Sequence, residues 1–291
     1  MFFRSRVHPS IVERAFAPLL RIADAGIPVY IVPGNHERSN IPQSLLETHS
    51  NINIFNTTKT FLFDSGGIKI ALAGFPYYRD GIRNNFRNIL DNNKIFETGA
   101  DFRFLCMHHI VEGAYVGRQH HIFRAGDDVI RAKDIPANID AVLCGHVHTN
   151  QILKKDPSGK PLATPVFYPG STERTSFAER EETKGYFVFT LSVDHLTKET
   201  SKTGRFVKLK TRPMIELEIK TQNMSVFKCK QTVIAKLKNA DPESIVRLKP
   251  QGPVPRHLLP CFRAGFLRSI APPTMNITCS IKNYLNKTRF R

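Results

Sequence analysis

Three short apolar runs in this 291-residue chain each end in a histidine-bearing polar turn. PVYIVP runs into Gly34-Asn35-His36-Glu37, FRFLCM into His108-His109, and IDAVLC into Gly145-His146-Val147-His148. Runs this short, mostly apolar and bounded by turn residues, read as buried strands. Polar side chains placed just beyond several such strands gather along one edge of a sheet, where ligands and catalytic groups are commonly built. The pattern therefore constrains the fold and the chemistry together.

The stretches between these runs support a layered α/β domain. Pro9 to Ala25 is predicted as an amphipathic helix, with Pro9 suited to the first turn and Gly26 to the stop. Strands are predicted at Pro28–Val32, Ile52–Phe55, Phe61–Phe63 and Ile68–Ala73, with Gly66-Gly67 turning between the last two. A helix is expected over Asn84–Phe96. Further strands are expected at Phe102–Met107, Ile139–Cys144, Gln151–Lys154, Val166–Tyr168 and Tyr186–Leu191. Past residue 192 the texture changes: Asp194–Arg205 is polar and turn-rich, and residues 240–291 are Pro-rich and basic with weak periodicity. The expected division is a domain over residues 1–192 and a basic carboxy-terminal region over 193–291, with the boundary near 192–205.

Charge follows the same division. Residues 1–190 hold 22 Lys and Arg against 19 Asp and Glu, whereas residues 191–291 hold 20 against 6. An excess of that size attracts polyanions, although it also serves as a solvated surface. The five cysteines form no Cys-x-x-Cys pair, and Cys106 and Cys144 sit inside apolar runs. Free buried thiols and a reducing cytoplasm fit that usage. The amino terminus has no secretory pattern, and no stretch reaches the roughly 18 apolar residues of a membrane helix.

The three turns offer metal chemistry. The Asn35 amide oxygen can coordinate a hard divalent ion, His36 can act as an acid or charge stabiliser, and Glu37 can orient that histidine. Imidazoles at i and i+2, as in His146 and His148, reach the same side of an extended segment. Each turn taken singly is a common loop or core pattern. Their shared order and strand-end placement point to one site.

These motifs resemble the second half of the calcineurin-like metallophosphoesterase signature. The stretch Tyr168-Pro169-Gly170-Ser171-Thr172-Glu173-Arg174-Thr175-Ser176-Phe177, with Glu179 to Gly185 beyond it, is similar to the SbcD-type DNA repair exonucleases. The likeness spans roughly residues 1–220 and includes Arg212-Pro213-Met214; the basic tail matches loosely. The resemblance implies a β-sandwich flanked by helices, with the basic segment as a small cap. It implies two divalent ions, typically manganese, with Asn35, His108 and His146 on the second and His148 reaching the first. His36 would assist at the scissile phosphate. Between His108 and His109 the register is open, and the family pattern favours His108. His120 and His121 have no counterpart in it and read as loop residues near substrate. Implied partners are the DNA backbone, an SbcC-type ATPase and a second copy of the chain.

The resemblance also exposes a gap. The family signature opens with an Asp-x-His strand end and a Gly-Asp turn, but the carboxylates before Gly34 are Glu13 and Asp24 alone. Two cations about 4 Å apart need an anionic bridge, and three imidazoles and an amide are all neutral. The expectation is therefore an amino-terminally truncated chain, its first strands missing, that is inactive or weak by itself. Two other functions fit the same residues: hydrolysis of small phosphate esters, and DNA or partner binding without catalysis.

Overall fold

The computed structural model describes residues 8–36, 49–91, 99–117, 121–194 and 196–279. They form two compact units. The first comprises residues up to Thr172 together with Glu182–Leu209, and the second comprises Glu173–Glu181 together with the chain from Lys210 onward.

The first unit opens with α1 (Pro9–Asp24), capped by the His8 side chain and closed by Gly26 at φ +80°. Its apolar stripe covers the parallel pair β1 (Val29–Ile31) and β2 (Ile52–Ile54). Val12 and Phe16 pack against Ile31, and Ala23 packs against Ile52 and Ile54. The chain continues through the hairpin β3 (Lys59–Ser65) and β4 (Ile68–Gly74), then α2 (Ile82–Asp91) and β5 (Phe102–Met107). Short pieces follow: β6 (Ile110–Val111), β7 (Tyr115–Val116), β8 (His121–Ile122) and β9 (Val129–Ile130). β10 (Ala141–Cys144), β11 (Gln151–Lys155) and β12 (Pro161–Tyr168) complete the main sheet, and β13 (Gly185–Val193) with β14 (Thr200–Lys208) forms a separate ribbon.

The main sheet runs β11-β12-β10-β5-β4-β3. β4, β5, β10 and β12 are mutually parallel along this order, with antiparallel strands at both edges. β5 is buried along nearly its whole length because both of its faces are covered. On one face α2 contributes Ile82, Phe86, Ile89 and Leu90 to a core with Leu105 and Val142. Against the other face, Tyr30 of β1 lies 5.3 Å from Phe61 and 5.5 Å from Phe63. Phe189 of β13 lies 4.9 Å from Phe167 on that same face. The first unit is thus a layered α/β sandwich, as expected from the alternation of helices with apolar strands.

The second unit is a three-stranded parallel sheet of β15 (Met214–Lys220), β16 (Ile245–Gln251) and β17 (Asn276–Cys279). The connections carry α3 (Val226–Lys238), a 3-10 turn at Arg256–Phe262 and α4 (Ala264–Ile270). Ile219, Val246 and Leu248 share a core with Cys229, Val233, Leu237 and Leu267. The remaining members of this unit, Glu173–Glu181, pack through Phe177, whose ring lies 3.9 Å from the Arg247 guanidinium.

Gly185–Val193 pairs residue for residue with Thr200–Lys208, so the boundary expected near 192–205 falls inside the β13–β14 hairpin. Parts of the Pro-rich stretch from 240 onward form β16, α4 and β17, and β16 alternates buried and exposed residues from Val246 to Gln251. All five cysteines are free, and burial pushes the Cys106 and Cys144 thiols up to about 12. Among the described residues no helix is long and apolar enough to cross a membrane.

Candidate metal centre

Parallel pairing brings the strand-end motifs together. Met107 of β5 stands opposite Cys144 of β10, so the next residues, His108 and Gly145, begin adjacent turns at the carboxyl edge of the sheet. The Gly145 N–H donates to the Met107 carbonyl at 2.9 Å. A side chain at 145 would place its Cβ 2.5 Å from His108 Nδ1, so only glycine lets the imidazole lie across this turn. The turn after β1 joins the same edge through Tyr77, whose N–H donates to the Pro33 carbonyl at 2.9 Å.

His108 Nε2 and Asn35 Oδ1, two candidate ligands, lie 3.2 Å apart. Nε2–H donates to the amide oxygen in the tautomer that makes this bond. The His146 ring stands 5.2 Å from the His108 ring at 78°. His146 sits in the left-handed region at φ +79°, so the regular i, i+2 alternation expected of an extended His-Val-His segment does not apply. His146 nevertheless lies within the electrostatic reach of both His148 and His36. Burial lowers its pKa first; Asp128 raises it, and those two imidazoles lower it further. His36 and His148 are exposed, and Val147 between the two histidines is buried. Glu37 and His120 lie outside the described residues. His121 pairs with Val116 across the short β7–β8 ribbon and is exposed.

His109 faces away from this cluster. It is 1% exposed, and its Nε2 accepts from the Tyr78 N–H at 3.1 Å. Burial, with His108 and His146 nearby, pushes its pKa down to about 3. Its carbonyl accepts from the Tyr168 hydroxyl at 3.1 Å and from the Cys144 thiol at 3.0 Å. His109 is thereby a buried brace for the turn that presents His108.

The His146–His148 turn has its own supports. The His148 carbonyl accepts from Lys184 Nζ at 3.0 Å and from the Ser171 N–H at 3.3 Å. Lys184 is ion-paired with Glu182 at 2.8 Å, and Glu182 also accepts from the Thr149 hydroxyl at 3.0 Å. Gly170, at φ +77°, leaves room for the His148 carbonyl, which a Cβ would approach to 2.6 Å. Tyr77 escaped the functional reading of the sequence, since a tyrosine in Phe-Pro-Tyr-Tyr carries no local signal, and Lys184, inside the Glu179–Gly185 stretch, was given no role of its own.

An amide oxygen and imidazole nitrogens form a donor set suited to one divalent ion of intermediate hardness. All four candidate ligands are neutral. Among the described residues no group of three or more His, Cys, Asp or Glu side chains is arranged to hold a metal ion. Asn35, His108 and His146 thus bring one amide oxygen and two imidazoles to one edge of the sheet, donors that a single divalent ion accepts.

Two relatives extend over much of this architecture. The protein described as uncharacterized metallophosphoesterase YhaO of Bacillus subtilis (strain 168) is 23% identical over 243 residues, covering 82% of this chain and 55% of its own length. Putative phosphoesterase 244L of Invertebrate iridescent virus 6 is 25% identical over 185 residues, covering 61% of this chain and 56% of its own. The chain thus spans a little over half the length of these relatives. A solved structure described as a hypothetical protein from Thermus thermophilus aligns with a TM-score of 0.38 at 15% identity, over 67% of this chain and 81% of that one. The family model for calcineurin-like phosphoesterases matches residues 4–150, half of this chain and all three motif turns, and the chain belongs to that family.

Proposed function

We propose that this chain carries part of the active site of a metal-dependent phosphodiesterase that cleaves DNA, of the SbcD repair-nuclease type. The observation that carries this reading is the 3.2 Å approach of Asn35 Oδ1 to His108 Nε2, with His146 alongside, at the carboxyl edge of the parallel strands. Family members usually work with two divalent ions. In this chain Asn35, His108 and His146 would hold one, with His148 directed to the other, and the family resemblance points to manganese. When bound, such ions supply positive charge that neutralises a phosphate and activates water for attack.

The remaining roles belong to the chain's own groups. His36 stands exposed beside Asn35, where its imidazole can hold a proton for the leaving oxygen. Glu37 follows it directly in sequence and would orient that ring. The 20 Lys and Arg against 6 Asp and Glu beyond residue 190 would bind backbone phosphates. The same analogy supports a cytoplasmic protein working with an SbcC-type ATPase and as a homodimer.

The neutral donor set supports a second reading: a DNA-binding or partner-docking unit with little turnover. One assay separates the readings from each other and from hydrolysis of small esters. The full chain with manganese is offered linear duplex DNA, bis(p-nitrophenyl) phosphate and p-nitrophenyl phosphate. Cleavage of DNA that is abolished in Asn35→Ala and His146→Ala supports the nuclease. Retained DNA binding without cleavage favours the docking unit, and turnover of the monoester alone would sink both.

A further inference from the structure

We infer that Tyr77 is a positioning residue that sets the ring plane of His146 for metal binding, an inference that rests on the metal-centre reading above. The Tyr77 ring stacks on His109 on one side, with centroids 4.8 Å apart at 14°, and on His146 with centroids 5.8 Å apart at 18°. It also meets His108 edge-on at 6.2 Å and 83°. One aromatic ring therefore meets His108, His109 and His146, drawn from both later motifs. Its main chain reaches the first motif, since the Tyr77 N–H donates to the Pro33 carbonyl at 2.9 Å. The next residue is fixed as well, because the Tyr78 N–H donates to His109 Nε2 at 3.1 Å.

The physical need is specific. A histidine presents a nitrogen lone pair usefully only when its ring plane contains the ion, yet its second side-chain torsion is broad and roughly two-fold. His146 also starts from a left-handed backbone at φ +79°, where neighbouring strand geometry does not determine where its side chain goes. A near-parallel aromatic face removes the ring's rotational freedom without competing for its nitrogens. The same face favours an imidazole made electron-poor by a bound cation, so the stack gains strength when metal binds. His109, buried at 1% exposure behind Tyr77, is the fixed wall against which the stack is built.

The test compares the full chain with Tyr77→Phe, Tyr77→Leu and His146→Ala. Manganese affinity is read from the free-ion paramagnetic resonance signal, alongside melting temperature and histidine ring spectra recorded without metal. Tyr77→Leu is expected to weaken manganese binding about tenfold, the low end for groups that support ligands. Tyr77→Phe should stay within about twofold of the parent, because the stack and not the hydroxyl does the positioning. The His146 ring resonances should move in Tyr77→Leu and stay in place in Tyr77→Phe. Unchanged affinity in Tyr77→Leu alongside a loss in His146→Ala would overturn the role of Tyr77 and leave the metal centre standing. Equal affinity of the parent and His146→Ala would overturn the metal centre. Ring resonances that stay fixed in Tyr77→Leu would overturn the positioning role whether or not metal binds.

Discussion

Lys184 Nζ donates to the main-chain carbonyl of His148 across 3.0 Å, from a side chain that is fully buried. The ammonium is paired with Glu182 at 2.8 Å, so the charge is compensated where it lies. This places a buried ion pair directly beneath the turn that carries His146 and His148. It links the Glu182–Lys184 segment to the turn that follows β10.

Lys184→Met is expected to destabilise the chain by about 3 kcal/mol, because it strands the Glu182 carboxylate and removes a donor from His148. The urea midpoint should fall without a change in slope. Lys184→Met combined with Glu182→Gln should recover part of the loss, since the double variant leaves no uncompensated charge. Additive losses would show that the two residues act independently.

Gly145→Ala and Gly170→Ala should separate site geometry from stability. At 145 the obstacle is the His108 imidazole, which can swing aside, so stability should change by less than about 1 kcal/mol. Manganese affinity should nevertheless fall, because His108 leaves Asn35. At 170 the obstacle is the His148 main chain, and φ is +77°. A cost of about 1–3 kcal/mol is expected there. Melting temperature and manganese titration on both variants check this contrast.

Stability should decline in acid through His109. Its pKa is pushed down to about 3 by burial and then by His108 and His146. Between about pH 6.5 and that value the unfolded chain takes up a proton that the folded chain refuses. Full stability is therefore expected above about pH 6.5, with up to about 1.4 kcal/mol lost per unit as the pH falls toward 3. His109→Gln keeps an acceptor for the Tyr78 N–H and cannot titrate. Its urea midpoint should depend less steeply on pH than the parent's, and identical slopes would refute this assignment.

Binding to duplex DNA should weaken steeply with salt if the basic region contacts phosphates. The logarithm of the association constant should fall linearly with the logarithm of salt concentration, at about 0.9 per phosphate neutralised. Fluorescence anisotropy with a labelled duplex measures the slope. An affinity indifferent to salt would contradict backbone recognition.

The strand ends that frame the site were legible in the sequence because each is a local event. PVYIVP, FRFLCM and IDAVLC are mostly apolar, with Arg103 and Asp140 near the starts of the latter two, and each stops at a polar turn. The α/β layering followed from the same local signals, as did the free thiols of Cys106 and Cys144. The three-stranded sheet beyond Lys210 was harder to read, because β16 carries Pro250 inside the strand and β17 is only four residues long.

Contacts between residues distant in the chain were decided only by tertiary structure. Strand register, Met107 opposite Cys144, brings His108 beside Gly145 and turns it toward Asn35, while His109 is buried behind Tyr77. The left-handed backbone of His146 depends on the turn closing against its neighbours, and Lys184 reaches His148 across 36 positions of sequence. Residue identity is sufficient to nominate donors, because a donor atom is a local property. Where that donor points depends on packing, and packing is settled by side chains that lie far away along the chain.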